Sequence, residues 1–264
     1  MTITGPGGPR RPRVLVVVAH PDDETFGLGS VIAGAVERGA EVVVCCATRG
    51  EAGESAVPLA PDSDLGDVRV AELRAAGDVL GVAQHVLLDF RDSGMEGPAA
   101  AGWLAGAPEA DVVEAVAAVI ADVDPDVVVG LDVVTSDGHR DHDRIAVATV
   151  AAASRWPQLP TYAWCVPRPM LERWFAHIAQ ARPGSPYSPP PDLGRPIEQV
   201  TTILDGRPYV ALRRQAMAKH ATQTPPLDGM PSDLEEAFLT TDHLVRLQPP
   251  WTGGPVEGSL PLSR

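Results

Sequence analysis

Residues 14–24 read VLVVVAHPDDE, an uninterrupted apolar run that passes directly into a polar segment. A short, continuous apolar run predicts a strand that is buried on both faces, as in the centre of a parallel sheet. The side chains of His20, Asp22 and Asp23 would then emerge at the carboxyl end of that strand. Because open α/β sheets bind their ligands at this end, the segment predicts both the fold class and the position of a functional site.

The rest of the chain continues an alternation of helices and buried strands. Helices are predicted at Leu28–Arg38, Asp67–Leu80, Glu109–Ala121, Arg144–Ala153 and Pro208–His220. After the first strand, further strands are predicted at Glu41–Ala47, His85–Asp89, Val127–Leu131, Thr161–Val166 and, at an edge, Ile197–Ile203. Strands separated by helices indicate right-handed crossovers within one sheet. We therefore expect an α/β fold of a single domain, with a Rossmann-like, mostly parallel sheet flanked by helices.

Three segments lie outside this alternation. Residues 1–12 are rich in Gly, Pro and Arg and are expected to form a flexible N-terminal arm, which leaves residues 13–247 as the folded domain. Residues 248–264 are expected to be a poorly ordered tail. Within the domain, Pro167–Pro196 is rich in Pro, Arg and aromatic residues, and we expect an irregular excursion there, too short to have its own core.

Composition excludes several classes of partner. The formal net charge is −14, which argues against a nucleic-acid surface, because phosphate binding depends on Lys and Arg. A continuous apolar stretch of 18 or more residues, the length that predicts a membrane helix, is also missing, so we expect no membrane insertion. The start of the sequence does not resemble a secretory signal, and its three cysteines read as buried thiols, so a cytoplasmic protein with a small-molecule partner is expected.

A second polar cluster, Gly138-His139-Arg140-Asp141-His142, follows the strand predicted at Val127–Leu131. Parallel strands end at the same edge of a sheet, so this cluster would meet the first. His20 and Asp23 are three residues apart and could both reach one divalent ion, and imidazole with carboxylate suits zinc. Each cluster alone could equally be a helix-capping sequence, but together they predict a convergent metal site.

These motifs resemble the PIG-L (LmbE-like) family of zinc-dependent N-deacetylases. The resemblance rests on Ala19–Glu24 and Gly138–His142, and other blocks agree in the same order. Those blocks are Thr48-Arg49-Gly50-Glu51, the Arg69 and Glu72 spacing, Asp92-Ser93-Gly94-Met95 and Lys219-His220-Ala221-Thr222-Gln223. Within the family the chain looks most like the actinobacterial branch, which deacetylates N-acetylglucosaminyl-inositol or cleaves mycothiol conjugates.

The resemblance implies a metal set and a catalytic set. It implies that His20, Asp23 and His142 bind one Zn²⁺ per chain, although the same kinds of ligand also accept iron, cobalt or manganese. Asp22 would be the general base, and His139 would be the positive group beside the oxyanion. Asp141 would orient His139 and raise the pKa of its imidazole by charge proximity.

The resemblance further implies substrate contacts for Arg69, Asp92 and His220. Each has a plainer reading: Arg69 as a surface ion pair with Asp67 or Glu72, Asp92 as a turn residue, and His220 as a cation at a helix C-terminus.

Two departures from the family pattern stand near the second cluster. Arg140 replaces a common proline, and its charge is expected to approach the substrate or an acidic neighbour. The family's tyrosine has no match in residues 131–138, so His139 would stabilise the oxyanion alone or with help from another loop.

The function implied is removal of an acyl group, expected to be acetyl, from the amide nitrogen of an N-acetylglucosamine-type sugar conjugate. Two alternatives stay open. One is an amidase acting on a thiol-sugar conjugate such as a mycothiol S-conjugate, and the other is a non-catalytic module that binds zinc or sugar.

Overall fold

The computed structural model describes residues 10–134, 137–181 and 193–262. Most of the predicted N-terminal arm, the end of the predicted tail and part of Pro167–Pro196 lie outside these residues. None of the described helices is both long enough and apolar enough to cross a bilayer.

One sheet of seven strands forms the centre of the molecule, in the order β3-β2-β1-β4-β5-β7-β6. The strands are β1 (Arg13–Val18), β2 (Glu41–Cys46), β3 (Gln84–Leu87), β4 (Val127–Leu131), β5 (Thr161–Cys165), β6 (Thr202–Asp205) and β7 (Thr241–Gln248). The first five are parallel, and β7 runs antiparallel to both β5 and β6. The expected single-domain, mostly parallel α/β fold is confirmed.

Helices cover both faces of the sheet. They are α1 (Asp23–Phe26), α2 (Gly29–Glu37), α3 (Leu65–Leu80), α4 (Glu109–Val123), α5 (Arg140–Ala153), α6 (Arg168–Ala181), α7 (Val210–Met217) and α8 (Ser232–Thr240). The α2, α3 and α7 helices pack together, and α4 packs along α5. The chain leaves β1 toward β2 and β3 and later returns toward β4 and β5. Right-handed crossovers in opposite directions therefore place these two groups of helices on opposite faces.

The predicted irregular excursion contains a helix instead. The α6 helix occupies Arg168–Ala181, and residues 182–192 lie outside the described part of the chain. The apolar side chains of the helix, Met170, Leu171, Trp174, Phe175 and Ile178, recur at helical spacing. A proline in the first turn does not interrupt a helix. The proline-rich composition of the whole segment hid this local periodicity.

The C-terminal part of the chain also differs from expectation. Neither α8 nor β7 was predicted, and β6 begins at Thr202, whereas the strand was expected from Ile197. Its position at the edge of the sheet is as expected. The expected poorly ordered tail packs on the domain as far as Leu262, because the side chains of Leu260 and Leu262 are buried.

The core depends on β1, in which Val14 to Val18 have no exposed surface. We expect Val16→Ala to lower the free energy of unfolding by about 2 kcal/mol or more, since it removes two buried methyl groups and leaves a cavity. Val147→Ala on α5 is the matched control: this side chain is 40% exposed, so the change should stay within about 0.5 kcal/mol. Urea unfolding measures both values, and equal losses would contradict the assignment of β1 to the core.

Candidate active site

The two polar clusters meet at the carboxyl ends of β1 and β4, which are neighbours in the sheet. His20 follows β1, while His139 and His142 lie at the start of α5, which follows β4. The ring centroids of His20 and His139 are 4.5 Å apart, and those of His20 and His142 are 5.2 Å apart. Residues 122 positions apart in the chain thus form one site.

The predicted metal ligands present three atoms to a common point. His20 Nδ1 lies 3.2 Å from His142 Nε2, which lies 3.2 Å from Asp23 Oδ1. His20 Nδ1 is 3.7 Å from Asp23 Oδ2. Ligand atoms about 2.0–2.2 Å from a tetrahedral ion would be separated by about 3.3–3.6 Å. The donor set therefore fits zinc in its chemistry, and the two distances to His142 Nε2 are close to this separation.

Among the described residues, two triads have all their ligand atoms within 4.8 Å of one another, and neither contains Asp23: His20 with His139 and His142, and His20 with Asp92 and Asp141. In the second triad both carboxylates accept backbone N–H groups on each oxygen. Asp92 accepts from Gly94 and Ala52, and Asp141 accepts from Ser93 and Ala105. Asp23 accepts backbone N–H groups on Oδ2 and directs Oδ1 at His142, which favours it as the ligand.

In His20 and His142, the outer ring nitrogen, which is the one farther from Asp23, lies close to a carboxylate. His20 Nε2 lies 3.4 Å from Asp141 Oδ2 and 3.5 Å from Asp92 Oδ1, and His142 Nδ1 lies 2.8 Å from Asp137 Oδ2. A metal-ligating histidine commonly donates its second N–H to a carboxylate in this way, which fixes the tautomer. Burial would lower the pKa of His20, but the hydrogen bonds to Asp141 and Asp92 raise it to about 9. The cluster thus favours positive charge at the point where the ligand atoms meet.

These contacts change the predicted roles of two aspartates. Asp141 was expected to orient His139, but its carboxylate contacts His20 instead. Asp92 was expected to bind substrate hydroxyls, yet both of its oxygens accept backbone N–H groups and one also faces His20. Both residues therefore act on the histidine nearest the centre of the site.

His139 is the N-cap of α5, and its Nδ1 accepts a hydrogen bond from the Asp141 N–H at 3.2 Å. The proton of the neutral ring is therefore on Nε2. Burial and the neighbouring His20 and His142 together lower the pKa of His139 to about 4. The charge of Asp141 raises this pKa, as expected, but does not outweigh the groups that lower it. The side chain is a neutral hydrogen-bond donor near pH 7.

Asp22 lies beside the ligands at a backbone φ of 121°, in the region that favours glycine. Burial raises the pKa of its carboxyl to about 7, and the charge of Asp23 contributes to the increase, while Arg69 opposes it. A carboxylate with a pKa near the working pH can both accept and return a proton. Asp22 therefore has the properties of a general base.

Arg69 holds this carboxylate from behind. Its guanidinium donates to Asp22 Oδ2 at 3.1 Å and to the carbonyls of Pro21 and Gly50, each at 2.7 Å. The side chain is buried, so the plainer reading as a surface ion pair is wrong. Arg69 lines the pocket, but its hydrogen bonds position Asp22 and the loop that carries it.

His220 is part of a buried network that the sequence did not reveal. Its Nε2 lies 2.8 Å from Glu24 Oε1, and Glu24 Oε2 accepts the backbone N–H of Asp22 at 2.9 Å. The side chains of His220 and Glu24 are fully buried, so His220 is placed behind the site and not against a substrate. A buried glutamate needs a cationic partner, and this requirement is the signal that could have paired the two motifs.

Within the part of the chain that the structure describes, Arg140 contacts neither an acidic side chain nor the centre of the pocket. Its guanidinium donates to the carbonyls of Ser93, Gly94, Glu96 and Gly97. The arginine therefore holds the loop at residues 93–97, which follows Asp92, against the start of α5.

A pocket of about 580 Å³ opens onto these groups. It is lined on the catalytic side by His20, Asp22, Asp23, Arg69, Asp92, His139 and His142. Fold and site together are those of an α/β enzyme, with a polar cluster of histidines and carboxylates at the carboxyl ends of two central strands.

The chain belongs to the PIG-L family, because the family model described as GlcNAc-PI de-N-acetylase matches residues 15–153. A relative from Geodermatophilus obscurus, named 1D-myo-inositol 2-acetamido-2-deoxy-alpha-D-glucopyranoside deacetylase, is 36% identical over 270 residues. That alignment covers 89% of this chain and 92% of the relative.

Solved structures share the fold at lower identity. The N,N'-diacetylchitobiose deacetylase from Pyrococcus horikoshii is 21% identical with a TM-score of 0.61, covering 90% of this chain and 86% of that one. The 4-carboxy-2-hydroxymuconate hydratase from Pseudomonas putida is 19% identical with a TM-score of 0.60, covering 92% of this chain and 99% of that one. Deacetylases and a hydratase thus share one fold, so the reaction must be argued from the site.

The buried pair of His220 and Glu24 should contribute to stability. We expect His220→Gln to lower the free energy of unfolding at neutral pH by about 1–3 kcal/mol, because it leaves the buried Glu24 without its cationic partner. His177→Gln, at a half-buried position on α6, is the matched control and should stay within about 0.5 kcal/mol. Chemical unfolding measures both.

The difference in the free energy of unfolding between wild type and His220→Gln should depend on pH, and the sign of this dependence follows from the pKa of His220. Burial lowers the pKa of His220, but Glu24 raises it overall. A raised pKa gives a stabilisation that is complete below the unfolded value of about 6.5 and is lost as the pH rises through the folded value. The difference should therefore shrink as the pH rises above about 6.5. A difference that grows above this pH would contradict a charged pair.

Proposed function

We propose that the protein is a metal-dependent hydrolase that removes the acyl group from the amide nitrogen of an N-acetylglucosamine-type sugar conjugate. The observation that carries the proposal is the arrangement of His20 and His142. Each has its outer nitrogen against a carboxylate and its inner nitrogen directed at Asp23, with Asp22 beside them. The named activity of the Geodermatophilus relative supports the same reaction.

His20, Asp23 and His142 would hold one Zn²⁺ per chain. The bound ion would polarise the amide carbonyl and lower the pKa of a water molecule beside it. Imidazole and carboxylate ligands also accept iron, cobalt or manganese, so the metal content needs direct measurement.

Asp22 would accept a proton from the attacking water and return it to the leaving nitrogen. Its pKa of about 7 lets it perform both steps near neutral pH. Arg69 and Glu24 support this role by fixing the loop in which Asp22 adopts its unfavourable backbone conformation.

His139 would donate from Nε2 to the carbonyl oxygen as negative charge develops there. A neutral imidazole can serve as such a donor, because its N–H can hydrogen-bond the oxyanion and its Nδ1 is already occupied by the Asp141 N–H. In this chain His139 fulfils the role without the tyrosine that its relatives are expected to have.

Two alternative functions involve the same site. An amidase on a thiol-sugar conjugate would use the same catalytic groups on a different amide. A module that only binds zinc or sugar has no need of a buried carboxylate with a raised pKa beside the metal ligands, so Asp22 favours turnover.

We expect Asp22→Asn to lower kcat at least about 100-fold while the metal stays bound, because an amide side chain cannot accept the proton. The assay measures amine release from N-acetylglucosaminides and from cysteine-sugar conjugates, and elemental analysis reports the metal. Asp78→Asn, on the distant part of α3, is a control of the same chemistry. Full activity of the Asp22 variant would exclude the mechanism, and release from no substrate would favour the binding module.

A metal titration should distinguish a proposed metal ligand from a carboxylate that orients it. His142→Ala should abolish stoichiometric metal, because one of three protein ligands is lost. Asp137→Asn should retain metal with about 10-fold to 100-fold weaker affinity, because this carboxylate orients His142 without being one of the proposed ligands. Competition with a chelator measures both. Metal content unchanged in His142→Ala would remove this residue from the ligand set.

A further inference from the structure

The pocket has two chemically different sides. The loops after β2 and β3 contribute Asp92 and the main chain of Ala52, Gly53 and Gly94, with Met95 as their apolar exception. The opposite side is formed by β5, α6 and α8. Its lining side chains are Trp164, Met170, Trp174, Phe175, Ile178 and Phe238.

The strand order places the catalytic groups between these sides. The site lies at the ends of β1 and β4, with β2 and β3 on one flank and β5 and β7 on the other. An amide substrate extends in two directions from its carbonyl carbon. When that carbon is at the site, one half of the substrate lies toward the polar side and the other half toward the apolar side.

The apolar side is a preformed surface. Met170, Phe175, Trp164 and Phe238 pack around a small buried core that includes Leu171. The rings of Trp164 and Phe238 meet edge to face with their centroids 6.1 Å apart. Trp164, Trp174, Phe175 and Ile178 nevertheless remain only half-buried. Aromatic and aliphatic side chains that line a concave pocket in this way favour an apolar ligand group.

We propose that the acyl group removed by this protein is an aliphatic chain longer than acetyl, and that this chain lies along the apolar side formed by β5, α6 and α8. The proposal rests on the proposed function, since it assigns a substrate class to the same site. In the reaction, water adds across the amide, the C–N bond breaks, and the products are the free amine of the sugar and a fatty acid.

The sugar belongs on the other side, because its hydroxyl groups need hydrogen-bond partners. On an apolar wall these groups would be desolvated without compensation, at a cost for each unpaired group. Backbone carbonyl groups in the loops after β2 and β3 can accept hydrogen bonds from these hydroxyl groups. An aliphatic chain has no such requirement and gains free energy from each methylene that it buries.

The test compares glucosamines that carry N-acetyl, N-butanoyl, N-hexanoyl or N-octanoyl groups, with the metal-loaded enzyme. We expect kcat/KM to rise about threefold per methylene until the acyl chain covers the apolar side of the pocket. The octanoyl substrate should therefore exceed the acetyl substrate by well over about 10-fold. A second series holds the acetyl group constant and lengthens an alkyl aglycone, and its kcat/KM should change little.

Ile178→Glu and Ala179→Glu form a matched pair of variants. Both place the same charge on the same helix, but Ile178 lines the pocket and Ala179 is exposed. In the first variant the ratio of kcat/KM for octanoyl over acetyl should fall to near one, whereas the second should keep the wild-type ratio. Thermal unfolding of both variants verifies that they are folded.

Binding of the product supplies a readout without turnover. In the presence of a chelator, octanoate should change the fluorescence of the two tryptophans on the wall, Trp164 and Trp174, at concentrations at which acetate does not. Ile178→Glu should weaken this binding at least about 10-fold, and Ala179→Glu should not.

Each outcome has a distinct meaning. Hydrolysis of the acetyl substrate without any preference for longer acyl chains would overturn this proposal and leave the proposed function standing. A preference for long aglycones alone would place the apolar group on the wrong half of the substrate and would also overturn it. Failure to hydrolyse any amide would instead count against the proposed function.

Discussion

The structure depends on holding two adjacent carboxylates, Asp22 and Asp23, at the end of a fully buried strand. Asp22 does so in a backbone conformation at φ 121°, which costs of the order of 1–3 kcal/mol for a residue other than glycine. Arg69 compensates by binding the Pro21 carbonyl and the Asp22 carboxylate, and Glu24 compensates by accepting the Asp22 N–H. The buried β1 strand and these hydrogen bonds together fix the conformation of the loop that carries Asp22 and Asp23.

The charges around that loop follow from the same constraint. Burial opposes ionisation of every acid in the site, so each ionised carboxylate requires a donor or a cation. Asp141 and Asp92 find backbone N–H groups and His20, while Asp23 finds His142. For Asp22, burial and the charge of Asp23 outweigh the opposing charges of Arg69, His20 and His220, so its pKa rises. The difference between the two adjacent aspartates, one suited to bind a cation and one suited to exchange a proton, thus comes from their neighbours.

The sequence predicted the parts of this molecule that are encoded locally. The β1, β2 and β4 strands are apolar on both faces, so each can be recognised from its own continuous run of apolar residues. The convergence of the His20 and His142 clusters followed from strand direction alone. The roles of Arg69, Asp141 and His220 could not be predicted, because each depends on which side chain it reaches through space. The α6 helix could not be recognised because the proline-rich composition of its segment obscured the helical spacing of its apolar residues. The β7 strand could not be recognised because an antiparallel strand between β5 and β6 breaks the alternation of helices and strands.

The family match ends at residue 153, and this boundary coincides with a division inside the pocket. Every residue proposed to bind the metal or move a proton precedes it, whereas Trp164, α6 and Phe238 follow it. The groups proposed for bond cleavage and the apolar side proposed to hold the acyl chain therefore come from successive stretches of one polypeptide. Substitutions on the apolar side can change which acyl group the pocket accepts without altering any group proposed to bind the metal or move a proton.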